Sequence, residues 1–167
     1  MLSYATRYAV EDPWVVFDYE VEMYFETIKA STWLNEQLRL PTFPQVFLTL
    51  RNTVTESTVL HIRILVDILI SKAKGQDDIS LIKLLPEWCD SPKGKELITN
   101  LSIAYGNAQS VDSPCWVINK MLAHPTTHRA NYFDYGSHLN KINGPIFQIL
   151  LELYAVTNRD ILRYYLK

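Results

Sequence analysis

The segment VLHIRILVDILI, residues 59–70, constrains this chain more than any other stretch. Wound as a helix, it shows Val, Leu or Ile on nearly every side. A helix that is apolar all round belongs at the centre of a packed structure, because no face of it suits water. The helix starts near Thr42, with Pro44 in its first turn, and stops near Lys74 and Gly75. Lysines suit the negative end of a helix, and Gly is a natural terminator. The apolar run carries His61, Arg63 and Asp67 and is too short to span a bilayer. Other helices must therefore surround it.

The sequence supplies them. Glu11, Asp12 and Pro13 open a first helix, acidic residues favouring its positive end and Pro its first turn. Trp14, Phe17, Val21, Tyr24, Phe25, Ile28 and Leu34 then recur close to helical period, and the helix fades before Pro41. Ser113-Pro114 is a second start signal, Ser as cap and Pro at the first helical position. The short helix it opens, CWVINKMLAH, ends at His124 because Pro125 follows. A last long helix is expected over residues 137–167, with Gly144-Pro145 kinking or restarting it. Between the second and third of these helices, residues 75–113 read as an insertion or lid. QDDIS, CDSPKGK and NAQSVDSP are loop-like, SLIKLLPEW makes one or two helical turns, and GKELITNLSIAYGNA makes a further helix. The expectation is one all-α domain over residues 1–167, a bundle of four main helices with a partly helical insertion.

Composition agrees with a single packed domain. At 167 residues the chain can bury a substantial core, and 48% hydrophobic with 20% charged residues excludes disorder. Only 5 residues are Gly, which argues against a turn-rich β architecture and a Gly-rich phosphate loop. The net charge of −2 leaves no global footprint for nucleic acid or an anionic membrane. The charge is uneven, however: residues 1–50 hold seven acidic and three basic residues, residues 114–167 three acidic and six basic. The opening residues lack a basic stretch followed by an apolar run, so no signal peptide is expected, and the cytoplasm is the default compartment. Cys89 and Cys115 are neither a disulfide framework nor a CxxC pair.

Two polar groupings stand out. Glu56, Arg63 and Asp67 fall on one stripe of the second helix, while His61 lies well around it. Buried charges must be paired, since an unpaired buried ion costs several kcal/mol. One reading is a buried ion-pair ladder that fixes helix register. Another is a cleft in which Arg63 and His61 hold an anion, and a third is a solvent-exposed stripe without consequence. The second grouping is Asn119, Lys120, His124 and Arg129. His124 ends its helix, where a positive charge is favoured. It either satisfies the last carbonyls or joins Lys120 and Arg129 in a cationic pocket able to hold a phosphate or do acid–base work.

ESTVLHIRILVDIL resembles the second helix of small bacterial helical proteins related to the HEPN superfamily. INKMLAH is similar to that superfamily's motif, in which Arg is followed directly by Asn, Asp or His and, a few residues later, by His. The resemblance implies a helical bundle, commonly dimeric, acting on RNA without metal in toxin–antitoxin or phage-defence systems. By position Asn119 matches the polar residue and His124 the histidine, but the Arg position is Ile118. An aliphatic side chain cannot stabilise a developing phosphorane charge. On this resemblance His124 would be the acid–base residue, Arg63 or Arg129 would hold the phosphate, and Asn119 would orient one of them. Without activity, the cleft formed with His61 and Lys120 would bind RNA, a nucleotide or a partner protein. The contrasting expectation is a protein-interaction or regulatory module whose polar residues only set helix register.

No metal site and no cofactor are expected. His124 and His128 are four apart, but Pro125 interrupts the helix between them, and no Glu-x-x-His pair is present. Cys115 sits in a first helical turn, where a thiolate is favoured, yet no His is near it in sequence, so a small core residue is the better reading. Most aromatics fall at helical spacing, as core residues do. The loop Tyr132-Phe133-Asp134-Tyr135 is the exception, and beside Arg129 it suits a base and phosphate or a dimer contact.

Overall fold

A computed structural model describes residues 12–37, 45–70, 75, 78–123 and 135–166. Among these residues there are eight helices and no strand: α1 (Trp14–Gln37), α2 (Gln45–Ile70), α3 (Leu81–Leu84), α4 (Pro86–Asp90), α5 (Pro92–Tyr105), α6 (Pro114–Ala123), α7 (Tyr135–Thr157) and α8 (Asp160–Leu166). The all-α class expected from the sequence is what the chain adopts. No helix among the described residues is long and apolar enough to cross a membrane.

The start signals of α1 and α6 act as expected, while those expected for the second helix at Thr42 and Pro44, and its stop at Lys74, lie outside the described residues. Asp12 Oδ1 accepts from the Trp14 N–H at 2.9 Å, satisfying one orphan donor of α1. Ser113 Oγ accepts from the Trp116 N–H at 3.1 Å and does the same for α6. Helices α1 and α2 run antiparallel: Glu20, early in α1, meets His61, late in α2, while Trp33 and Phe47 approach at the other end. From Val59 onward α2 is central, with Val59, Ile62, Leu65 and Val66 fully buried. None of residues 46–57 is buried, so the helix emerges from the core toward its N-terminus.

The insertion belongs to the core. Leu81, Leu97, Leu101 and Tyr105 join the cluster built around Phe17, Val21, Ile62, Ile146 and Leu150. Helix α5 has 14 residues, more than the 10 of α6, and packs against α7 and α2. Ser91 caps it, accepting from the Gly94 N–H at 3.0 Å. Gly94 is required by a close approach, since a Cβ there would lie 2.0 Å from the Trp88 carbonyl oxygen.

The last helix differs from expectation. It passes through Gly144-Pro145 without restarting and breaks instead after Thr157, where Asn158 takes φ 50°. Proline disfavours a helical residue before it because its Cδ meets that residue's Cβ. Gly144 has no Cβ and stands in open space, so the usual clash is missing. Helix α8 then returns along α1. Arg159 holds Asp18 through Nε at 2.8 Å and Nη2 at 2.5 Å and lies 4.5 Å from the Trp14 ring centre. Further along, Tyr165 stacks on Phe25 at 4.7 Å and donates to Glu26 at 2.8 Å.

Candidate functional site

A buried ionisable pair among the described residues joins two helices. His61 of α2 and Glu20 of α1 meet at 2.8 Å, Nδ1 to Oε2, with side chains only 11% and 7% exposed. The Tyr19 ring stands edge-on to the imidazole at 5.9 Å. Each partner supplies the hydrogen bond that the other needs in the interior. His61 therefore faces α1 and does not share a surface with Arg63, two residues on.

The stripe of Glu56, Arg63 and Asp67 is not a buried ladder. Glu56 is exposed, and the Arg63 and Asp67 side chains are 36% and 54% exposed. Arg63 Nε lies 4.0 Å from Asp67 Oδ2, a loose pair one turn apart. An open pair of this kind contributes about 0–1 kcal/mol. The register-fixing contact of α2 is His61 with Glu20, an acid from the neighbouring helix.

Arg63 and Asp67 do reach a second polar group. Tyr105 ends α5, and its hydroxyl bonds the Cys115 thiol in the first turn of α6. Asn119, one turn further, donates from Nδ2 to Cys115 Sγ at 3.5 Å. The charges of Arg63 and Asp67 act on both the phenol and the thiol. Burial raises the Tyr105 phenol above its ordinary range. It also pushes the Cys115 thiol up, against the Tyr105 hydrogen bond that pulls the other way. Both shifts favour the protonated forms, the opposite of what activates a thiolate nucleophile. The junction of α2, α5 and α6 is thus a hydrogen-bonded knot beside a half-open ion pair.

Of the residues expected at a site, Asn119 bonds Cys115 there, and the charge of Arg63 acts on the same thiol. Lys120 is half-exposed and follows Asn119 on α6. His124, Arg129 and residues 132–134 of the aromatic loop lie outside the described residues. Ile118, at the position of the family's Arg, is fully buried in the core with Val117. No group of three or more metal-ligating side chains occurs among the described residues. Tyr105 gave no signal in the sequence, because nothing in GKELITNLSIAYGNA sets it apart from the core residues around it. The Cys115–Asn119 pair did carry one, the spacing of four that places two residues on one helix face.

Compared with protein-family models, with curated proteins and with solved structures, the chain matches none.

Proposed function

We propose that this chain is a non-catalytic protein-interaction module, a helical bundle whose interior polar residues hold its helices in register. The observation that carries this reading is Ile118. The side chain that a HEPN-like nuclease would need as a cation at the phosphate is aliphatic and fully buried. The imidazole of the central helix is engaged by Glu20, and the thiol and phenol at the helix junction are shifted toward their protonated forms. The test is to incubate the protein with a mixed RNA pool without metal, beside a His124→Ala variant. Neither should cleave; cleavage by the parent that is lost in the variant would contradict this reading.

A second reading is a HEPN-like RNA- or nucleotide-binding protein, or a degenerate metal-independent ribonuclease of the bacterial defence or toxin–antitoxin type. What favours it is that Asn119 of α6 bonds Cys115 while the charge of Arg63, half-open on α2, acts on the same thiol. Its signature is RNA binding at low salt that weakens steeply as salt rises and is reduced in Arg63→Ala. Binding that is absent at low salt removes this second reading.

A further inference from the structure

Helix α7 buries Ile142, Ile146, Ile149, Leu150 and Leu153 on one side and leaves a different stripe to solvent. Gly144, Phe147, Leu151 and Ala155 follow one another at intervals of three or four, so they line one exposed face, which the exposed Gln148 shares. Phe147 is 39% exposed and Leu151 41%. Lys141 and Glu152 stand on the same flank of this stripe, separated by eleven positions, about three turns. Neither makes an ion pair within the described chain.

From this face we infer that α7 docks against α7 of a second copy, antiparallel, about a two-fold axis near residues 146–147. This rests on the interaction-module reading and gives that module its partner. In an antiparallel helix pair related by a two-fold axis, equivalent flanks face each other, so Lys141 of each copy meets Glu152 of the other. The charges match twice with no residue added. Gly144 then falls opposite the interval between Phe147 and Leu151 of the second copy, and its missing Cβ lets the two backbones approach. An isologous contact is self-complementary in this way, and it closes at two subunits. Any other partner would have to reproduce the spacing of an acid and a base along an apolar stripe, which the second copy carries by symmetry.

Sedimentation of the full chain from micromolar to several hundred micromolar tests this. The parent should form dimers, and Leu151→Lys, a change at an exposed position, should yield folded monomers by circular dichroism. Lys141→Glu and Glu152→Lys should each weaken the dimer roughly three- to tenfold, and the combined swap should restore it. A parent that stays monomeric throughout, or a dimer indifferent to all of these changes, overturns the inference. The RNA assay is independent: a monomer that leaves RNA intact removes this interface alone. A dimer that cleaves RNA leaves the interface standing and removes the reading beneath it.

Discussion

At the scale of single residues, the interior of this protein is decided by two polar contacts. His61 and Glu20 are buried together, and removing one leaves the other without a partner in a medium that solvates it poorly. His61→Ala or Glu20→Ala should therefore cost about 3–5 kcal/mol in chemical denaturation. Replacing both by Leu should recover most of that loss, since an apolar pair of similar volume needs no partner. Tyr24 is the second case. It is 3% exposed, donates to Asn143 at 3.3 Å, and burial raises its phenol to about 12. A group whose folded value lies above its unfolded value of 10.0 stabilises the protein fully below pH 10, and that stability is lost as pH climbs through 12. The alkaline limb of a stability–pH profile should thus fall by about 2–3 kcal/mol from this one phenol. Tyr24→Phe should be less stable at neutral pH but flatten that limb, read by denaturation at stepped pH.

At the scale of elements, α1 and α6 begin where the sequence marks them, and the helices pack in ways it does not. Asp12-Pro13 and Ser113-Pro114 were legible because capping is local: the donor and its acceptor lie two or three residues apart. The central place of residues 59–70 was legible for a similar reason, since a run apolar on every side has only one environment that suits it. Glu20 was not legible as the partner of His61. It sits among ordinary helix acids in FDYEVEMYFE, and 41 positions separate the two. Of the kink or restart expected at Gly144-Pro145, the restart does not occur, since the clash that ends a helix before proline needs a Cβ on the preceding residue, and that residue is Gly144. The insertion misled in degree: polar loops flank it, while α5 between them carries Leu97, Leu101 and Tyr105 inward. Gly94→Ala should accordingly disrupt the α4–α5 corner, with a loss of at least 2–4 kcal/mol, because the obstruction is backbone and cannot rotate away. At the other end, Arg159→Lys should cost about 1–2 kcal/mol. An ammonium cannot hold both Asp18 oxygens in the forked geometry or stack as well on Trp14. Thermal unfolding of each variant beside the parent measures both effects.

At the scale of the whole molecule, the residues set aside for chemistry divide among three environments. His61 is paired with Glu20 between α1 and α2, Asn119 bonds the Cys115 thiol on α6 while Arg63 stands half-open on α2, and Ile118 is part of the core. Of the candidate site, the Cys115–Asn119 contact was within reach of the sequence, since a spacing of four places both residues on one helix face. Tyr105, which acts on the Cys115 thiol, was not, because only the three-dimensional packing of α5 on α2 and α6 brings it there. The apolar residues that α7 leaves exposed, Phe147 and Leu151 among them, are what the proposed interaction would use. The position that divides an interaction module from a nuclease is 118, and the most direct measurement is the stability of Ile118→Arg by chemical denaturation. A fully buried site receiving an unpaired guanidinium predicts a loss of about 4 kcal/mol or more, or failure to fold. An Ile118→Arg protein as stable as the parent would place residue 118 at an open surface and contradict the account.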